Sequence, residues 1–256
     1  MHRIDLNCDM GESADPERLS IEERLMPLVT SVSIACGFHA GNPDLMRRTI
    51  QLARAHGVAI GAHPGFRDPE GMGRRELEVT SQEAENLIAY QIGALAGIAA
   101  LEGTRLAHVK PHGALYNMAA RDRRLADAIA QAVALVDRRL ILFGLAGSEL
   151  VEAGKAIGLT VAEEAFVDRA YNPDGSLIPR GRPGAVIQDE QEVVARVRRL
   201  VHEGGVASLD GPLICLHADT ICLHGDTPEA DRLADTVRRE LTKEGVRIQA
   251  VGDAGT

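Results

Sequence analysis

Seven short apolar runs, at about 3–8, 32–38, 58–62, 106–110, 140–145, 160–167 and 213–223, alternate with longer segments of helical period. This strand–helix rhythm restricts the fold more than any other feature of the 256 residues. The runs are rich in Val, Ile and Leu on both faces, which suits parallel strands covered by helices on either side. About seven such units without a domain break favour closure over an open sheet. The expected fold is therefore α/β: a single TIM-like (β/α) barrel over residues 1–256, with seven strands. An open wound sheet is the structural alternative.

The helices carry their own start and stop signals. Thr80 with Glu83 forms a capping box ahead of Leu87, Gln91, Leu95, Ile98 and Leu101, and Gly103 stops that helix. Asp189 with Glu192 opens a second, through Val193, Val197, Leu200 and Val201 to Gly204 and Gly205. Thr227 and Pro228 open a third, through Leu233, Val237 and Leu241 to Gly245.

Charge narrows the partners. With 28 basic against 37 acidic side chains, a net charge of −9 and no basic block, neither nucleic acid nor an anionic membrane surface is expected, since both need clustered positive charge. A small-molecule substrate is the better expectation, and self-association into a homo-oligomer stays open. No run approaches the roughly 20 apolar residues of a spanning helix, and the N-terminus enters a strand pattern at once, so a cytoplasmic protein is expected. Cys8, Cys36, Cys215 and Cys222 follow no paired zinc or redox spacing and read as reduced, buried small residues. There is no P-loop and no GxGxxG after the first strand, so no nucleotide fingerprint is visible.

Five glycine-flanked segments, NCDMGE (7–12), CGFHAG (36–41), GAHPG (61–65), KPHGALY (110–116) and LHGD (223–226), hold most of the residues able to do chemistry. Each follows a strand run, so a barrel gathers them on its catalytic face. Alternation sends Asp5, Asn7 and Asp9 to one side of the first strand, towards a polar interior or its mouth, with Glu12 just beyond. His39 and His63 follow the second and third strands. Asp9, His39 and His63 make an Asp/His/His set suited to a borderline divalent metal. A metal-free site in which the same groups shuttle protons fits equally well. Lys110 and His112 bracket Pro111, with Tyr116 beyond. A lysine in an apolar run needs an anion, either a substrate carboxylate or phosphate, or else a structural carboxylate. Glu164, Asp168 and Arg169 end the sixth strand. The arginine is placed to clamp a carboxylate if the loop 168–188, with its three arginines, closes as a lid; otherwise it forms a surface pair with Asp168. His224 and Asp226 end the last strand, although Asp226 also reads as a helix cap. His2, His56 and His202 read as solvated; His108 and His217, inside apolar runs, are candidates for the barrel interior.

At NCDMGE, ACGFHAGNP, GAHPGFRD, HVKPHGALYN, EAFVDRAYNPDGSLIPR and DTICLHGDTP the chain closely resembles the LamB/YcsF family. The match runs over nearly the whole chain in six ordered motifs. The resemblance implies a barrel related to glycoside hydrolases and deacetylases. It also implies the A component's part in opening 5-oxoproline to L-glutamate, with ATP as co-substrate and further subunits B and C as partners. On that footing Lys110 and Arg169 would hold a carboxylate or phosphate, Asp9, His39 and His63 would position water, metal or protons, and His112 or His224 would serve as acid or base. Asn7, Glu12, Tyr116, Glu164, Asp168 and Asp226 would complete the substrate site. Two other classes compete: an autonomous metal-dependent hydrolase or deacetylase, and a non-catalytic substrate-binding subunit.

Overall fold

A computed structural model describes residues 3–209, 211–223, 225 and 229–253. The elements follow one another as β1 (Arg3–Met10), α1 (Pro16–Leu25), β2 (Ser31–Ala35), α2 (Pro43–His56), β3 (Ala59–His63), α3 (Ser81–Leu101), β4 (His108–Val109), α4 (Gly113–Ala119) and α5 (Arg123–Val136). Then come β5 (Ile141–Leu145), α6 (Glu149–Ala156), β6 (Val161–Phe166), α7 (Glu190–Glu203), β7 (Gly205–Ala207), β8 (Leu213–Cys215), β9 (Thr220–Leu223), α8 (Ala230–Lys243) and β10 (Arg247–Ile248). Strands β1 to β6 and then β9 pair in parallel, and β9 returns to β1, closing a seven-stranded barrel wrapped by helices.

Closure depends on the length of β1. Its first residues, Arg3 and Ile4, pair with β10, while Asp5–Cys8 pair with β9 on one edge and Asn7–Met10 with β2 on the other. The helices form where their local signals ask. In α3, Thr80 and Glu83 complete the reciprocal capping box; Asp189 caps α7 by accepting from the Glu192 N–H at 2.8 Å, and Gly204 ends it in the left-handed conformation. Leu233, Val237 and Leu241 of α8 are buried as read, whereas Thr227 and Pro228 lie outside the described residues.

Three expectations change. The run 213–223 is two strands: β8 pairs antiparallel with β7, and only β9 enters the barrel. The break falls at Asp219, whose N–H donates to the Glu163 carbonyl at 2.8 Å while its carboxylate accepts the Glu163 N–H at 2.9 Å. This clasp starts β9 at Thr220 and leaves His217 exposed. Cys215, on β8, is exposed as well, so three cysteines are buried rather than four, and all four are free thiols. The third change concerns α3, which at 21 residues is long and apolar enough to cross a membrane by length and composition. Here it lies against the barrel instead, burying Ile88, Ile92 and Leu95, and its Gln91 amide exchanges hydrogen bonds with the backbone of Gly65.

The barrel interior is polar. Asp5 accepts from Thr30 at 2.6 Å, Ser31 at 2.7 Å and Thr220 at 2.5 Å; His108 stacks on Phe143 and bonds Ser33 at 3.2 Å. The His108 ring fits only because residue 61 lacks a side chain: a Cβ on Gly61 would fall 2.1 Å from its Nε2. Burial pushes the Asp5 carboxyl up to about 6 and the His108 imidazole down to about 3, so both tend towards their neutral forms.

Candidate functional site

Above this polar stack, at the carboxyl ends of the strands, lies a cavity of about 250 Å³. Asp9, Glu12, His63, Lys110, His112, Tyr116 and Glu164 line it, with Phe166, Leu177, Ile178 and Pro179 as an apolar wall and Arg74, Arg121, Arg169 and Arg180 around it. Residues 168–188 arch over one side, held by antiparallel bridges Arg169↔Val186 and Tyr171↔Leu177.

The centre is an ion-pair network. Lys110, 2% exposed, donates to Asn7 Oδ1 at 2.8 Å, Glu164 Oε1 at 3.0 Å and Cys222 Sγ at 3.3 Å, and forms an ion pair with Asp9 Oδ1 at 2.7 Å. All three ammonium protons are thereby engaged by protein groups. Of the two anions the sequence allowed for Lys110, the structural carboxylates are what it meets in this structure. The neighbouring carboxylates overcome burial and hold the Lys110 ammonium well above its usual range. Glu164, fully buried, also accepts from Asn7 Nδ2 at 2.9 Å and from the Tyr116 hydroxyl at 2.7 Å. Burial beside that carboxylate pushes the tyrosine well up, so it stays a donor.

A second group sits beside the first. Ligand atoms of Glu12, His39, His63 and His112 all lie within 4.8 Å of one another, a cluster able to hold a metal ion. His63 and His112 approach at 2.9 Å between Nε2 and Nδ1, and the rings of His39 and His112 stack at 3.7 Å. Burial lowers the His39 imidazole and takes His112 to about 3, so both are neutral near pH 7. Burial opposes ionisation of Glu12, but the contact with His39 and the other rings prevails and holds its carboxyl at about 2.

Asp9 belongs to both groups, with Oδ1 on Lys110 and Oδ2 3.3 Å from His63 Nε2. The metal set read from sequence, Asp9 with His39 and His63, is therefore recomposed: Glu12 and His112 complete the cluster, and Asp9 bridges it to Lys110. The reason is the turn after β1, where Gly11 adopts a positive φ and lets Glu12 fold back under His39.

Other expectations shift too. Arg169 is buried, and its guanidinium donates to the Ile178 carbonyl at 2.6 Å and the Ala185 carbonyl at 3.3 Å, so it ties down the loop that was to close over a carboxylate. Both Asp168 and Arg169 are buried, so they are not the surface pair of the alternative reading. Burial lowers Arg169 to about 10. Asp168 is fully buried, with its carbonyl on the Ile187 N–H, and neither it nor Asn7 nor His39 lines the cavity. His224 and Asp226 lie outside the described residues. The sequence reading missed Arg74 and Arg121; Arg121 pairs with Glu76 at 2.6 Å on the rim. Their only signal was position: Arg74 follows the glycines of GMG (71–73), and Arg121 lies in the turn just past α4.

The LamB/YcsF family model matches residues 4–255. The chain belongs to the LamB/YcsF family. The A component of 5-oxoprolinase from Bordetella pertussis is 53% identical over 247 residues, covering 96% of this chain and 98% of that one. The crystal structure of a lactam utilization protein from Thermus thermophilus superposes with a TM-score of 0.89 at 46% identity, covering 97% of this chain and 99% of that one. A polysaccharide deacetylase from Bacillus cereus, at TM-score 0.50 and 14% identity over 100% of this chain and 95% of that one, shares the barrel alone. All six LamB/YcsF motifs meet around this network. They supply Asp9 and Glu12, His39, His63, Lys110 with His112 and Tyr116, Glu164, and Thr220 with Cys222.

Proposed function

We propose that this chain is the A component of an ATP-dependent 5-oxoprolinase. It acts in opening 5-oxoproline (pyroglutamate) to L-glutamate, coupled to hydrolysis of ATP to ADP and phosphate, in a complex with subunits B and C. The observation that carries this reading is the arginine-rimmed cavity at the strand ends of a chain 53% identical, over 96% of its length, to the A component of a 5-oxoprolinase.

The cavity's composition suits the substrate. Ligand pockets of about 300–1,000 Å³ take drug-sized molecules, so one of about 250 Å³ suits a single small ring. The ring methylenes of a five-membered lactam pack on Phe166, Leu177, Ile178 and Pro179. Its carboxylate, and a phosphate carried on the amide oxygen, turn to Arg74, Arg121 and Arg180, whose planar forks match such anions.

The lactam is a resonance-stabilised amide with a poor leaving nitrogen. Phosphorylation of its oxygen makes the ring carbon a better electrophile; water then adds, the C–N bond breaks as nitrogen takes a proton, and a second water releases phosphate from the acyl phosphate so formed. Asp9, whose Oδ2 lies 3.3 Å from His63 Nε2 at the cavity floor, moves those protons. Lys110, Asn7, Tyr116 and Glu164 fix Asp9 in place and so act as positioning residues. With no nucleotide fingerprint in the chain, this reading assigns completion of the ATP site to the assembled enzyme, and the reaction to the cytoplasm.

The test is glutamate formation from 5-oxoproline and ATP, by the chain alone and with subunits B and C. Activity is expected only in the full mixture. Asp9→Asn and His63→Ala should each lower kcat by about 100-fold or more, and Arg121→Ala with Arg180→Ala should raise KM for 5-oxoproline about tenfold. Folded Asp9→Asn and His63→Ala variants with activity within a few-fold of wild type would remove the site. Glutamate formation by the chain alone without ATP would replace this reading with an autonomous hydrolase.

A further inference from the structure

The hydrogen bonds at the cavity floor fix where the imidazole protons are. His63 Nδ1 lies 2.8 Å from the Lys110 carbonyl, and His112 Nε2 lies 2.8 Å from the Met72 carbonyl. A carbonyl oxygen only accepts, so each of these nitrogens carries its ring's hydrogen. The opposite nitrogens, His63 Nε2 and His112 Nδ1, then present lone pairs to each other at 2.9 Å. Around them stand more acceptors: Glu12 Oε1 is 3.4 Å from His112 Nδ1 and 3.4 Å from His39 Nε2, and Asp9 Oδ2 is 3.3 Å from His63 Nε2.

His39 adds the second observation. Its side chain is fully buried, and neither ring nitrogen has a hydrogen-bond partner, a costly state for a polar ring. Backbone holds it there. A Cβ at Gly65 would lie 2.5 Å from His39 Nδ1, and one at Gly73 would lie 2.7 Å from His39 Cβ and 2.8 Å from His112 Cδ2. Gly73 has φ +64°, which few other residues tolerate, so the clamp on the two stacked rings is built into the chain. Lone pairs converging in a clamped cluster repel one another unless a cation lies among them.

We infer that Glu12, His39, His63 and His112 form a binding site for a divalent first-row transition-metal ion. Three imidazoles and one carboxylate select a borderline ion such as Zn²⁺, Co²⁺ or Ni²⁺ over Mg²⁺ or Ca²⁺, which prefer all-oxygen shells. The carbonyls of Lys110 and Met72 act as the outer partners that orient two of the ligand rings. When bound, such an ion supplies a Lewis acid at the floor of the cavity, beneath the arginine rim. Asp9, already committed to Lys110, stands beside the set and outside it.

The experiment measures metal binding with no substrate, nucleotide or partner subunit present, so its result does not depend on the 5-oxoprolinase reading. Chelator-treated full-length protein is titrated with Co²⁺, following the visible ligand-field absorption, and with Zn²⁺ by calorimetry. One equivalent is expected, with little response to Mg²⁺. His112→Ala, His39→Ala and Glu12→Gln should each weaken Zn²⁺ binding by about 100-fold, while Asp9→Asn and the surface variant His202→Ala should stay within a few-fold of wild type. Absence of a stoichiometric Co²⁺ spectrum and of Zn²⁺ heat in wild-type protein would overturn the site, and a proton would then be what bridges His63 and His112. That arm needs no variant to fold. Loss of binding in Asp9→Asn with retention in Glu12→Gln would overturn the ligand set in favour of Asp9.

Discussion

Replacing Lys110 by Met removes one buried cation and strands the anions around it. The side chain is 3% exposed; its three protons meet Asn7 Oδ1 at 2.8 Å, Glu164 Oε1 at 3.0 Å and Cys222 Sγ at 3.3 Å, and Asp9 Oδ1 pairs with it at 2.7 Å. Methionine matches the length of the aliphatic stem, so the change is in charge and hydrogen bonding more than in volume. Breaking a buried pair by deleting one partner costs about 3–5 kcal/mol, because the remaining charge is desolvated without compensation. For a chain of this size that amounts to roughly 6–20 °C in Tm. The cost falls on ionised carboxylates, so it should be largest at pH 8 and shrink towards pH 5 as a stranded carboxyl takes up a proton. Urea unfolding followed by circular dichroism at both pH values, on wild type, Lys110→Met, Glu164→Gln and the double variant, checks this. The double variant should recover a large part of the loss. A Lys110→Met variant within 1 kcal/mol of wild type at pH 8, or equally destabilised at both pH values, would refute the account of Lys110 as the keystone of a buried charge network.

Two further perturbations probe the barrel interior. Burial raises the Asp5 carboxyl from 3.8 to about 6. A raised folded-state value means its contribution is fully present below pH 3.8 and is lost as pH rises through about 6. A gap of about two pH units is about 3 kcal/mol, so wild type should lose about that much stability relative to Asp5→Asn between pH 3.8 and 7.5. A constant difference across that range would disprove it. Gly61→Ala puts a Cβ 2.1 Å from His108 Nε2, on a ring wedged between Ser33 and Phe143. It should cost about 3 kcal/mol by overpacking, measured by thermal unfolding, and Gly61→Ala with His108→Ala should be less destabilised than Gly61→Ala alone; the reverse order would show that the ring is not the obstacle.

Much of the architecture was legible because its causes are local. The Thr80–Glu83 box, the Asp189 cap and the Gly204 stop each involve residues a few positions apart, and the alternation of apolar runs with helical period gave the order and number of barrel units. The candidate residues were legible for a related reason, since glycine-flanked His39, His63 and His112 at strand ends leave few structural roles. Their grouping was not legible. Whether His63 answers to Asp9 alone or also to His112 depends on residues 49 positions apart, and Lys110 meets a carboxylate 54 positions away. Arginines such as Arg74 and Arg121 look like any solvated charge until a fold turns them towards a cavity. The run 213–223 misled because hydrophobicity records burial and says nothing of which strand lies alongside; the Asp219 clasp on Glu163, 56 positions away, decides that.

The sequence by itself determined the repeating units, the helix ends and the stock of carboxylates, imidazoles and cations placed at the strand ends, because short-range hydrogen bonds and side-chain periodicity are written in neighbouring residues. Only the tertiary structure decided that the seven strands close, that Lys110 is saturated by Asn7, Glu164 and Cys222 beside Asp9, and that Glu12 joins three buried histidines in one cluster. A buried polar group must find a partner wherever the closed barrel supplies one, and that partner is chosen by distance in space.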